Sequence, residues 1–324
     1  MIKRLGKNKT FMIGFSFIST LMVLSVANSL FNDGNIRTVP LYMDDQANIV
    51  DAPPYKPFTH WFIAGSDNGG RDWLYMVIHG AKFTIGVAFA IAFLRVLFSL
   101  IIGSILGVYL QKYIRWFEKL ADPITVIPLT LVAYYVLFDV IIFDATGSEY
   151  SFKERAFFQI AILTGYAVPT LAIFQANEIK KLHHEEFMDA ADVLGGSKLY
   201  KLKVHILPHL KENLIIILMQ QYIQVLVVLA HLGVLGIFFG GSLIVGEELH
   251  SVSNEWSGLI GNTYDLMIFY PWLPLTPTLF LGLTILSAQM MLSGMKEVIA
   301  KQPIKRGPVP RTQYVKKRNS KLSS

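Results

Sequence analysis

The chain has 324 residues, 53% of them hydrophobic, and a mean hydropathy of +0.45. Its apolar residues fall in blocks long enough to cross a bilayer, so the number of spans says more than a count of soluble domains. Cysteine is absent, which excludes disulfides and thiolate metal sites, and the formal charge of +6 is informative mainly through where the charges sit.

Residues 1–31 comprise a short basic tail, with Lys3, Arg4, Lys7 and Lys9, and an apolar run over 11–31. That run is longer than a signal-peptide core, and Val26-Ala27-Asn28 is a poor cleavage site, so a retained first span is expected. Residues 32–79 form a polar connection rich in Pro, Gly and Asp. Residues 80–295 hold five more predicted spans, at 81–110, 117–143, 156–176, 214–238 and 271–292. Arg95 lies inside the second, Asp122-Pro123 and Pro128 lie in the third, and Pro169 is expected to kink the fourth. Residues 296–324 form a basic tail without apolar period, expected to be disordered at its end and to anchor on anionic lipid rather than nucleic acid.

Six spans put both termini on one side. Of the 29 Lys and Arg residues, 22 fall on the side of the termini and six on the other, with Arg95 in the bilayer. The positive-inside bias therefore places both termini, and the stretch 185–208, in the cytoplasm of a cell-membrane protein. Ser66 and Ser253 are the far-side positions at which introduced cysteines test that orientation.

The stretch 185–208 is a polar, helix-prone island between two spans. Phe187, Ala190, Ala191 and Leu194 fall on one helical face, with Glu185, Glu186, Asp189 and Asp192 on the others. Gly195-Gly196 stops the helix, Ser197 caps a second short one with Leu199, Leu202 and Ile206 as its apolar face, and Pro208 is expected to end or kink it. On residues alone this is either an amphipathic surface loop or a docking element. The pattern Asp189-Ala190-Ala191, Gly195 and His205-Ile206-Leu207-Pro208 resembles the cytoplasmic coupling loop of ABC-transporter permeases, with Asp189 in place of the usual glutamate.

A second resemblance lies before the second span. His60, Gly65, Asp67, Gly70, Arg71 and Asp72 match the loop motif of the dipeptide, oligopeptide and nickel permease branch, from which Trp61 and Ser66 depart. By itself this stretch reads as a turn held by Asp–Arg contacts. The segment Asn254-Glu255-Trp256-Ser257-Gly258 is similar to the Pro-Ser-Trp-Gly stretch of the same branch. From residue 59 to about 297 the chain thus resembles the C-type permease subunit of a peptide-importing ABC transporter.

The resemblance implies an all-α integral membrane protein of the type I importer fold with a cytoplasmic coupling helix. It also implies the partners: a second related permease, two ATPases, an extracytoplasmic binding protein, and peptide as substrate. ATPase coupling would fall to Glu186, Asp189, Ala190, Ala191, Gly195 and Pro208. Nickel import is the alternative within the branch. A proton-driven carrier or a structural scaffold is the alternative outside it, although no inverted repeat of the kind such carriers show is present.

The chain has no Walker motif, so ATP hydrolysis is expected of the partners, and no cofactor is called for. His183-His184-Glu185-Glu186 lacks the second histidine of a zinc-protease helix and reads as a solvated helix start. Polar groups inside spans face a cavity or another helix. Gln220, Gln224 and His231 share one face of the fifth span, and Thr84, Arg95 and Ser99, with Gly103 near, share one face of the second. Either set lines a hydrated pathway or holds helices together. Arg95, Gln220, Gln224 and His231 are the candidate pathway residues.

Overall fold

The computed structural model describes residues 2–32, 34–44, 48–144, 146–193, 195–246 and 248–301. The expected end of the basic tail therefore lies outside the described residues, as does Leu194. The chain opens with α1 (Ile2–Leu5) and α2 (Lys9–Phe31). Asn8 caps α2 by accepting the Phe11 amide. The connection that follows carries an antiparallel pair, β1 (Tyr42–Met43) and β2 (Ile49–Asp51).

The second span, α3 (Trp73–Tyr109), begins earlier than residue 81 because Asp72 supplies its cap, accepting the Tyr75 amide at 3.2 Å. Its 37 residues reach about 55 Å, well beyond a hydrocarbon core of about 30 Å. Along its outer face Phe89, Phe93, Leu97, Phe98, Ile101 and Ile105 are exposed, a stripe suited to lipid and not to water.

The third span is not the continuous helix expected over 117–143. It is two helices, α4 (Ile114–Val126) and α5 (Leu129–Ile141), whose axes differ by 71°. Pro128 has no N–H to donate and pushes the residue before it out of the helical region. Ile127 is accordingly extended, with φ −86° and ψ 125°. The 13 residues of α5 reach only about 20 Å, too short to cross a bilayer alone. Among the described residues five helices are long and apolar enough to cross, or six if the bent pair is one span.

After β3 (Ile142–Asp144) comes α6 (Phe152–His183), started by a reciprocal cap between Ser151 and Glu154 and continuous through Pro169. Then α7 (Glu186–Val193) and α8 (Lys198–Lys201) lead to α9 (Leu207–Val234). Pro208 neither ends nor breaks the helical path here. A π turn over Leu202–Ile206 precedes it, with the Leu207 N–H bonded to the Leu202 carbonyl, and this wider turn absorbs the missing proline N–H.

Short strands also join what composition suggested to be wholly helical. β4 (Ser242–Val245) pairs parallel with β3 and antiparallel with β5 (Glu248–Ser251). Arg155 ties this sheet to the start of α6, donating to the Gly240 and Tyr150 carbonyls at 2.8 Å each and lying over the Phe143 ring.

The chain closes with α10 (Trp256–Thr263) and α11 (Trp272–Ala300). The main core gathers α3, α9, α10 and α11 around Trp73, Trp256 and Leu137. The short α10 is its wedge: the Trp256 indole donates to the Val77 carbonyl at 2.7 Å, and the Trp256 amide to Thr84 Oγ at 2.9 Å. Glu255 caps α10 and is fully buried, accepting from the Ser257 and Gly258 amides, the Ser257 hydroxyl and, at 3.4 Å, the Phe239 amide. Burial pushes its carboxyl up, and these donors pull against that.

Candidate functional site

A cavity of about 700 Å³ opens where α4 and α5 part, walled by α3, α6 and α9. The Ile127–Pro128 break makes the space. The Tyr166 hydroxyl reaches the Ile124 and Ile127 carbonyl oxygens, which the end of α4 leaves without intrahelical partners. The polar lining consists of Arg95, Thr130, Tyr166, Thr170, Gln221, Gln224 and His231, set among Ile124, Leu129 and Val227.

Arg95 is 1% exposed. Its Nε and Nη2 donate to the Leu163 carbonyl at 2.9 and 2.7 Å, and its Nη1 donates to Gln221 Oε1 at 3.2 Å. It therefore links α3, α6 and α9 where they meet. All these acceptors are neutral, and among the described residues no carboxylate pairs with it.

The four expected pathway residues are not all brought together. Gln224, His231 and Arg95 line the cavity, whereas Gln220 is exposed and outside it, one turn nearer the start of α9. Gln221 holds the place expected of Gln220. It lies about 100° further round the helix, and that direction points at α3. A lone arginine in a span needs an acceptor, so the tandem Gln220-Gln221 was a signal, but helical periodicity alone does not say which of the two faces α3. Thr84 and Ser99 are packing groups rather than lining: Thr84 accepts from Trp256, and Ser99 accepts from Gln175 Nε2 at 2.8 Å.

The loop motif before α3 is a closed turn. Asp67 Oδ1 accepts the Gly69 and Arg71 amides at 3.0 and 2.8 Å, and its Oδ2 pairs with Arg71 Nε at 2.6 Å. Gly70 turns at φ +75°, and the Asp72 amide bonds the Arg37 carbonyl. Asp67 and Arg71 also line a polar pocket of about 420 Å³ with Glu248, His250 and Asp265.

On the far end of the bundle, α7 and α8 sit against a small separate core of Ile179, Met188, Leu202, Ile206 and Leu210. Met188 and Ala191 are buried, and Phe187 stacks on His209 at 4.9 Å, so the inward face is turned from the expected one and Ala190 faces out. Asp189 and Val193 are exposed beside it. Gly195 takes φ +73° with open space where a Cβ would sit, and the Gly196 amide closes the turn on the Ala191 carbonyl at 3.2 Å. Ser197 then caps α8 through the Tyr200 amide. Glu186 opens α7.

No family model matches the chain. Curated relatives do. The dipeptide transport system permease protein DppC of Alkalihalophilus pseudofirmus is 24% identical over 297 residues, spanning 92% of this chain and 87% of its own length. The oligopeptide transport system permease protein OppC of Bacillus subtilis is 22% identical, with 91% and 87% spanned. The peptide transport system permease protein SapC of Haemophilus influenzae is 25% identical over 74% of this chain. The chain is thus similar, over most of its length, to proteins named as peptide transport permeases. An alignment as long as the first two includes both the cavity and the α7–α8 turn of this chain, wherever its ends fall. Polar side chains set in an otherwise apolar bundle can hydrogen-bond a polar solute.

Proposed function

We propose that this chain is the membrane-spanning permease subunit of an ATP-driven importer of peptides. It would work with a second related permease, two ATPases and an extracytoplasmic binding protein. The observation that carries the reading is near-full-length similarity to permeases named for dipeptide and for oligopeptide transport. The polar-lined cavity supports it, because a peptide backbone needs hydrogen-bonding walls to cross an apolar bundle, and amide side chains both donate and accept.

In this reading α7, Gly195 and α8 dock on an ATPase. Their exposed face, with Asp189, Ala190 and Val193, is the surface that a partner would cover. ATP binding closes the ATPase pair and shifts this element. The small core that joins it to α9 carries the movement to the helix that forms the cavity wall. The test is purification of the complex in mild detergent, followed by reconstitution into vesicles. Partner ATPases and a second permease are expected to accompany the chain, and labelled peptide uptake is expected to require ATP. Uptake driven by a proton gradient without ATP would sink the reading.

Both termini lie in the cytoplasm in this proposal, on the strength of the 22-to-six charge division. Ser66 and Ser253 are buried, so cysteines there would be shielded from reagents. Lys56 and Thr146 are exposed far-side positions, and Lys112 and Lys198 are exposed near-side ones. In intact cells an impermeant thiol reagent is expected to label Lys56→Cys and Thr146→Cys, and to label Lys112→Cys and Lys198→Cys only after permeabilisation. The reverse pattern would invert the topology.

A further inference from the structure

We propose that the cavity is a carboxylate-binding site with the Arg95 guanidinium as its anchor. For one of two possible carboxylate sources this rests on the peptide-importer reading above. A cation taken out of water is costly unless an opposite charge meets it. Arg95 is 1% exposed, and among the described residues its hydrogen-bond partners are the Leu163 carbonyl and the Gln221 amide. A guanidinium has five N–H donors, and these contacts use one on Nε and one on each terminal nitrogen. One donor on each terminal nitrogen is left, beside a cavity of about 700 Å³.

The remaining polar lining consists of amides at Gln221 and Gln224, hydroxyls at Thr130, Tyr166 and Thr170, and the His231 imidazole. No described carboxylate lines the space. A site with one fixed guanidinium and no anion selects an anion. A planar carboxylate suits the paired donors best, and Gln224 and His231 are placed to take its further contacts. The carboxylate has two candidate sources of the same chemistry: the C-terminal group of a peptide in transit, or an acidic side chain of the companion permease.

The test uses the reconstituted complex and one peptide in two forms, with a free C-terminal carboxylate and with a C-terminal amide. The ratio of the two uptake rates is read, because the binding protein is the same in every sample. If the peptide is the source, Arg95→Gln lowers the free-acid rate relative to the amide by about tenfold, the size of one lost charge-assisted contact. Arg95→Lys restores part of the ratio. If the companion permease is the source, Arg95→Gln lowers the yield of intact complex, both peptides fall in proportion, and Arg95→Lys restores the yield.

Gln224→Glu guards against a glutamine variant that does not fold. It changes an exposed cavity position and places a competing carboxylate in the same space, so it too is expected to lower the ratio or the yield. A ratio and a yield both unchanged by Arg95→Gln and by Gln224→Glu would overturn the site while leaving peptide import standing. A parental complex that imports neither peptide would overturn the importer reading instead, and the yield measurement would still decide the site.

Discussion

Replacing Gly233 by valine is expected to lower the melting temperature and the yield of folded protein sharply. A Cβ at Gly233 lies 2.3 Å from the Ser257 carbonyl oxygen and 2.6 Å from the Ser257 carbonyl carbon. Those are backbone atoms of α10 and cannot swing aside as a side-chain tip can. The contact is two-sided, since a Cβ at Gly261 lies 2.1 Å from the Gly233 carbonyl oxygen. Small residues let helix backbones approach this closely, and in lipid such close packing replaces the hydrophobic drive that holds helices together in water. Separating α9 from α10 also pulls Trp256 from between α3 and α11, so the cost is expected at about 3 kcal/mol or more, a large part of a typical stability of about 5–15 kcal/mol. The control is Gly282→Ala on α11, where nothing lies within 4 Å of an added Cβ. It is expected to gain about 0.5–1 kcal/mol from helix propensity. Thermal melting of the isolated subunit in detergent measures both, and a Gly233→Val protein that melts with the parent would refute the packing account.

The second large effect is expected at the proposed coupling turn. Gly195→Arg and Asp189→Lys should leave the complex assembled in the membrane and lower peptide uptake by roughly 5- to 150-fold, the usual range of coupling between sites. Gly195 has space around it but a φ of +73°, so an arginine there both strains the turn and adds bulk to the docking face. Asn tolerates left-handed angles better than other non-glycine residues, so Gly195→Asn separates the two causes. It should retain most uptake if backbone angle is the limiting factor and lose it if the added bulk is. Asp189 is exposed and makes a charge reversal felt only by a partner. ATP hydrolysis that continues in these variants while uptake falls identifies uncoupling. Parental uptake in both would remove the coupling assignment.

Some of this was legible in the residues alone. Apolar run length sets bilayer spans because every buried backbone group must bond within its own helix, and that rule needs no knowledge of neighbours. Five spans, the Gly195 turn and the Ser197 cap followed from such local rules. The Asp67–Arg71 turn is equally local, closed within five consecutive residues. Charge counting along the chain likewise needs no packing.

Other features depended on what lies across the bundle. The third span breaks at Ile127–Pro128, where Tyr166 of another helix holds the freed carbonyls, and a proline in a span is tolerated or disruptive according to such neighbours. Periodicity put Gln220, Gln224 and His231 on one face of α9 but could not choose Gln221 over Gln220 as the partner of Arg95, because that choice is made by the position of Arg95 on α3. The burial of Ser66 and Ser253, inside loops that look polar and open in sequence, was likewise decided by the chain folded over them. The residues thus determined the spans, caps and turns, which are closed by neighbours in sequence. Only the tertiary structure decided which polar side chain meets Arg95 and where a cavity opens, because those contacts join residues 39 or more positions apart.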